Sequence, residues 1–164
     1  MIFSAEVIVM LKYKAAPMGG SISLVTYFVF MLVLAAFLGM ILIKGLLFVV
    51  FLLTIIMFWT YFCWTPVEYG VDGGELTIFY RFGKKTFNTF GGPFKPDRLP
   101  KFCIKIWANG GLFAGAGLFW GTGIGLFRAY VTTTAVEKII AFKDSRGVIF
   151  ISPHEPDKII EELR

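Results

Sequence analysis

The chain has 164 residues, of which 57% are of hydrophobic types and 16% are charged, with a formal net charge of +5. A soluble domain carries roughly a quarter charged residues, so this composition excludes a protein with a charged surface all around. The charge is also too small, without a recognisable binding module, to indicate a nucleic acid partner.

The charged residues are segregated along the chain. Of 27 charged residues, Lys44 is the only one between positions 19 and 64, and 23 lie after position 64. We interpret this division as two environments, lipid for residues 22–64 and water for residues 65–164.

Residues 22–64 are predicted to form a transmembrane helical hairpin after an N-terminal segment, residues 1–21, in which a strand is a candidate. Residues 22–43 and 45–64 are free of charge. The first of these runs would be roughly 33 Å long as a helix, enough for a hydrocarbon core near 30 Å. We expect the chain to turn at Lys44-Gly45. The first run is longer than the apolar core of a signal peptide and lacks a convincing cleavage site, which argues against removal.

The flanking charges predict the orientation of the hairpin. Lys12 and Lys14 precede it, and Arg81, Lys84 and Lys85 follow it. By the positive-inside rule, both termini are expected on the cytoplasmic side of the plasma membrane, in a multi-pass protein.

Residues 65–164 have the pattern of short strands separated by turns. The predicted strands are residues 75–82, 86–90, 102–107, 127–134, 136–142 and 148–151, chosen for alternation or for β-branched and aromatic content. Pro156, Asp157 and the apolar stripe of Ile159, Ile160 and Leu163 predict a closing helix.

This second part of the chain resembles the bacterial pleckstrin-homology-like domains of small membrane proteins. The similarity covers about the last 95 residues and is carried by residues 69–78 (YGVDGGELTI), 125–132 (GLFRAYVT) and 149–157 (IFISPHEPD). It implies an α+β membrane protein whose domain is a strongly bent antiparallel sheet, or partly open barrel, with a C-terminal helix at one end. The resemblance brings no catalytic residues.

Residues 109–125 are predicted to be a Gly-rich apolar loop that touches the membrane or a partner. Seven glycines there alternate with bulky apolar residues. Burial in the core and a third membrane span within residues 106–127 are the alternatives, and the glycines weaken the span. A phosphate-binding loop fails because the glycine spacing is wrong. The candidate interface residues are Leu112, Phe113, Leu118, Phe119 and Trp120.

No catalytic or metal-binding constellation stands out, so we expect neither an enzyme nor a cofactor. His154 is the only histidine and precedes the last helix, where a role in helix entry explains it. Cys63 and Cys103 have no metal-ligand spacing.

A run of basic residues is the candidate site for lipid or partner binding. Its seven positive charges lie within 25 residues and should be attracted to anionic lipid. In pleckstrin-homology folds the first hairpin turn often carries such residues, and Gly83-Lys84-Lys85 is the similar turn here. A solvated rim that only enforces topology is the alternative. The residues are Arg81, Lys84, Lys85, Lys95, Arg98, Lys101 and Lys105.

The sequence thus favours a membrane-anchored, non-enzymatic binding or assembly module. Its expected partners are the lipid bilayer and another protein or a further copy of the chain, and no nucleic acid. The alternative is an accessory subunit of a membrane transporter or membrane enzyme complex.

Overall fold

The computed structural model of the chain describes residues 10–39, 46–110 and 113–163. These residues form an α+β protein with one large sheet and a long apolar helix near the N-terminus. The helices are α1 (Gly20–Gly39), α2 (Leu46–Cys63) and α3 (Pro156–Glu162). The strands are β1 (Leu11–Lys14), β2 (Pro66–Asp72), β3 (Glu75–Tyr80), β4 (Lys84–Phe94), β5 (Cys103–Gly110), β6 (Gly115–Gly121), β7 (Gly125–Val131), β8 (Ile140–Asp144) and β9 (Gly147–Ile151).

The nine described strands form one sheet in the order β1-β2-β3-β4-β8-β9-β7-β6-β5. The sheet is not closed, so β1 and β5 are its edges. It is also mixed, which corrects the expectation of an antiparallel sheet, because β7 and β9 run parallel. The parallel pair arises because β8 and β9 form a hairpin whose first strand pairs with β4. The chain reverses direction between β7 and β8 and again between β8 and β9, so β9 runs in the same direction as β7.

Among the described helices, only α1 has the length and composition of a membrane span. It contains 20 residues with a mean hydropathy of 2.4, and at 1.5 Å per residue it would be about 30 Å long. The apolar part of α2, Phe48–Cys63, is shorter. The predicted run 22–43 begins two residues after α1 does, and the predicted turn at Lys44-Gly45 lies outside the described residues.

The start of α1 and the end of α2 lie side by side. The backbone N–H of Phe113 donates a hydrogen bond of 2.9 Å to Thr26 Oγ1 in α1. The Phe113 ring makes an edge contact with Tyr61 in α2, with ring centroids 5.1 Å apart. β1 leads into α1 and β2 leaves α2, and these two strands pair with each other. Both helices therefore leave the sheet at the same place.

Apolar side chains cover both faces of the sheet. On one face, called the α3 face, Leu76, Ile78 and Ile149 pack around Ile159 of α3, which is fully buried. On the other, called the α1 face, Phe119 and Phe127 belong to a second cluster, with Leu99 packed against it. Because side chains alternate along a strand, β6, β7, β8 and β9 each contribute buried residues to both clusters.

The segment predicted as a Gly-rich loop, residues 109–125, is largely strand, so the loop prediction is wrong. β6 pairs with β5 and with β7 along its length. Its glycines allow close backbone approach. A Cβ on Gly117 would lie 2.6 Å from the Cα of Ala108, and one on Gly121 would lie 2.8 Å from Pro100 Cβ. Glycine in a strand often marks such an approach, whereas the sequence pattern suggested flexibility.

Candidate functional site

A cleft of about 530 Å³ lies between the end of α2 and the α3 face of the sheet. We call it the cationic cleft because four basic side chains line it: Lys84, Lys85, Arg128 and Arg146. The other lining residues are mostly aromatic or small: Cys63, Trp64, Tyr80, Phe82, Gly83, Trp107, Ala116, Gly117, Leu118 and Tyr130. The cleft thus combines positive charge with aromatic walls.

The turn between β3 and β4 leads directly into Lys84 and Lys85, the first residues of β4, and it contacts the end of α2. Gly83 closes this turn with a φ of 98°, a conformation that glycine adopts without strain. The backbone N–H of Phe82 donates a 3.1 Å hydrogen bond to the carbonyl oxygen of Phe62, and the two rings stack with centroids 5.0 Å apart. The Arg81 guanidinium lies 3.8 Å from the centroid of the Tyr61 ring. Lys84 and Lys85 are therefore held at the last turn of α2.

Aromatic rings lie close to two of the four cations of the cleft. Lys85 Nζ lies 5.4 Å from the ring centroids of both Phe87 and Tyr130. Arg128 Cζ lies 5.6 Å from the Phe87 centroid. A cation within about 6 Å of a ring centroid is attracted to the face of the ring, so Lys85 and Arg128 share the Phe87 side chain.

Asp144 organises the far side of the cleft. One of its carboxylate oxygens pairs with Arg128 Nη1 at 2.6 Å, where the two side chains are only 7% and 15% exposed. Its other oxygen accepts a 2.8 Å hydrogen bond from the backbone N–H of Arg146, which closes the turn between β8 and β9. Asp144 neutralises one of the four cations, so the cleft keeps a net formal charge of about +3.

Tyr80 adds no negative charge to the cleft at neutral pH. Its burial, with smaller contributions from Tyr130 and Tyr69, raises the pKa of its phenol well above the ordinary value. The side chain is therefore a neutral hydroxyl that can donate or accept a hydrogen bond. An anionic group in the cleft would meet four cations and one carboxylate, that of Asp144.

The predicted basic run is divided over the molecule. Lys84 and Lys85 line the cleft, and Arg81 lies beside the cleft in the turn before β4, against Tyr61 of α2. Lys95 forms a 2.5 Å ion pair with Asp157 of α3. Arg98 and Lys101 line a separate hollow of about 370 Å³. Lys105 pairs in register with Phe119, on the α1 face, so it lies on the opposite side of the sheet from the cleft.

The predicted apolar interface residues are divided in the same way. Leu112 lies outside the described residues. Phe113 joins the two helices, Leu118 lines the cationic cleft and Phe119 is buried on the α1 face. Trp120 is 40% exposed. The alternation of β6 explains this division, because neighbouring strand residues point to opposite faces.

Arg128 and Arg146 were not among the predicted site residues. Arg128 lies inside a strand with Phe127 and Ala129, and alternation alone could have placed it on the opposite face from them. Arg146 lies in a predicted turn. Nothing in the sequence indicates that these two residues lie near Lys84 and Lys85. Their proximity depends on the pairing of β4 with β8 and of β9 with β7, which local sequence patterns do not reveal.

Within the described part of the chain, no group of three His, Cys, Asp or Glu side chains could hold a metal ion. The chain matches no protein-family model, no curated protein sequence and no solved structure. The interpretation of the cleft therefore depends on its geometry alone.

Proposed function

We propose that this chain is a membrane-tethered, non-enzymatic module that binds the headgroup of an anionic phospholipid in the cationic cleft. The ligand chemistry follows from the lining. Positive side chains attract phosphate, and Trp64 and Trp107 have the amphipathic rings that are enriched at the level of lipid headgroups.

The tether in this proposal is the pair α1 and α2, acting as a transmembrane hairpin. α1 has the length and hydropathy of a span, and no residue of α2 is charged. Large apolar side chains are exposed on both helices, including Phe28 at 63% and Phe51 at 62%. Exposed apolar area of this extent is a liability in water. The proposal places both termini in the cytoplasm, and a pleckstrin-homology-like fold for the sheet and α3.

The observation that carries the proposal is the attachment of the basic turn to the last turn of α2, by the Phe82 N–H to Phe62 carbonyl hydrogen bond and the contact of Arg81 with Tyr61. If α2 leaves the bilayer at Trp64, this attachment holds Lys84 and Lys85 at headgroup level. Basic residues at that depth gain about 1 kcal/mol each from an anionic leaflet.

The proposal is tested with the full-length chain in mixed detergent and lipid micelles, by native mass spectrometry of the lipids it retains. We expect retention of phosphatidylglycerol over phosphatidylcholine. The double variant Lys84→Glu with Lys85→Glu should lose that preference. The double variant Arg98→Glu with Lys101→Glu is the matched control, because it changes the net charge equally at the separate hollow. Equal loss in both variants, or no preference in the unaltered chain, would refute a specific site.

A second function, assembly with another protein chain, is favoured by an exposed apolar row on the edge of the sheet. Ile104, Trp120 and Leu126 are cross-strand neighbours on β5, β6 and β7, and they are 49%, 40% and 50% exposed. Purification of the native complex in mild detergent distinguishes assembly with a different protein from self-assembly. A stoichiometric larger companion indicates an accessory subunit, whereas a complex of this chain alone indicates self-assembly.

A further inference from the structure

A second cleft, of about 380 Å³, lies on the opposite side of the sheet between the first turns of α1 and the α1 face. We call it the apolar cleft. Its walls are Ile22 and Val25 of α1, Leu99 and Pro100 of the segment before β5, and strand residues that include Phe119 and Phe127. A volume of this size is within the range of ligand-binding pockets, about 300–1,000 Å³.

The lining contains no charged residue, and its few polar side chains are at exposed positions. Ser21 and Thr134 are both exposed. Deeper in the cleft the side chains of Val131 and Phe150 are apolar and less than 10% exposed. Such a cleft has no groups to orient a polar ligand, and it suits a flexible hydrocarbon.

The apolar cleft continues onto the exposed surface of α1. Residues three and four positions apart share one face of a helix, so the face that carries Val25 continues through Phe28 and Leu32. These three side chains are 39%, 63% and 52% exposed. Hydrocarbon beside α1 therefore has a continuous apolar path into the cleft, without crossing a charged residue.

We propose that the apolar cleft holds one acyl chain of a neighbouring bilayer phospholipid. This inference depends on α1 crossing the membrane, as in the proposed function. It does not depend on the cationic cleft, because the two clefts are on opposite faces of the sheet. The lipid bound here would have its acyl chain against Phe119 and Phe127, and its headgroup near the exposed rim at Ser21 and Thr134.

The test uses the full-length chain in phosphatidylcholine nanodiscs that contain a phosphatidylcholine with a diazirine in its acyl chain. After irradiation, the cross-linked peptides are mapped by mass spectrometry. We expect adducts in two places: on exposed residues of α1, such as Phe28 and Leu32, and on the cleft walls within residues 99–103 and 115–131.

Two substitutions fill the cleft from opposite sides. Ala129→Phe fills it from β7, and Val25→Phe fills it from α1 with less risk to folding of the sheet. Each should remove most of the adducts on the cleft walls and leave those on Phe28 and Leu32. Val49→Phe is the control, because Val49 is exposed on α2 and lines neither cleft, and it should keep both sets of adducts. Circular dichroism checks that each variant is folded.

Four results would overturn the inference. Adducts on α1 without adducts on the cleft walls would show that the cleft is empty of acyl chains, although α1 is in the bilayer. Adducts on the cleft walls that persist in both filled variants would place the acyl chain elsewhere. Labelling of the walls by a free diazirine fatty acid, but not by the phospholipid, would assign the cleft to a soluble lipid. A lack of adducts on α1 as well would contradict the membrane span and the inference together.

Discussion

Changing the charge of Lys85 in steps should change the affinity of the cationic cleft for anionic lipid in steps. Lys85 Nζ lies 5.4 Å from the ring centroids of both Phe87 and Tyr130, so its charge has a defined place in the cleft. Each positive charge near an anionic leaflet contributes about 1 kcal/mol. Lys85→Gln removes one charge, which corresponds to about a fivefold loss of affinity. Lys85→Glu changes the charge by two units, which corresponds to about a 30-fold loss.

The affinity is measured by titrating the full-length chain in neutral detergent with short-chain phosphatidylglycerol, following tryptophan fluorescence. Short-chain phosphatidylcholine is the reference ligand. Lys95→Gln and Lys95→Glu form the matched control series, because Lys95 pairs with Asp157 of α3 outside the cleft, and they should change the affinity by less than about twofold. The differences should shrink as salt rises, since the Debye length falls from about 10 Å at 0.1 M to about 3 Å at 1 M. Equal effects of the Lys85 and Lys95 series would mean that general attraction, without a site, explains binding.

Three further predictions concern the residues that shape the cleft and the core. Asp144→Asn should raise the affinity for phosphatidylglycerol about fivefold by removing the carboxylate that pairs with Arg128. It should also lower the free energy of unfolding by about 2 kcal/mol through loss of the ion pair. Lower affinity in the titration would contradict this. Stability should fall as the pH rises above about 10, because burial raises the pKa of Tyr69 in the folded chain above its value in the unfolded chain. In denaturant titrations at pH 8 to 11, Tyr69→Phe should be less stable than the unaltered chain at pH 8 but should lose less stability as the pH rises. An equal change of unfolding free energy with pH in the two proteins would show that Tyr69 does not contribute to the pH dependence. Gly117→Ala should lower the free energy of unfolding by about 1–3 kcal/mol, because Gly117 has a φ of 133° and an added Cβ would meet the backbone of Ala108. Gly123→Ala is the control, because Gly123 has open space around it, although its φ of 82° also adds strain. An equal loss of stability in both variants would exclude the steric cause.

The sequence predicts those parts of the fold that depend on local patterns. The charge-free run of residues 22–43 predicts a long apolar helix, and α1 confirms this over residues 22–39. The hairpin of β3 and β4 follows from the β-branched and aromatic content of residues 75–82 and from the turn at Gly83-Lys84-Lys85. Pro156 marks the start of α3, where the structure has it at the first helical position.

The parts that could not be predicted depend on contacts between residues distant along the chain. The glycines of β6 predict a flexible loop, whereas Gly117 admits the backbone of Ala108 and Gly121 admits Pro100 at close range. The meeting of Arg128 with Lys85 requires the strand order, which local periodicity does not contain. The sequence predicts one basic surface, whereas the structure divides the run between the cationic cleft, the ion pair with Asp157, the separate hollow and the α1 face.

The most direct test of the membrane tether is extraction of membranes that contain the full-length chain. Membranes are washed with alkaline carbonate and then with urea, and the chain is followed in pellet and supernatant. Because α1 has 20 residues with a mean hydropathy of 2.4 and little burial inside the protein, we predict that the chain stays in the pellet through both washes and that only detergent releases it. Appearance of the folded chain in the supernatant without detergent would contradict the tether, and with it the lipid-binding roles of both clefts.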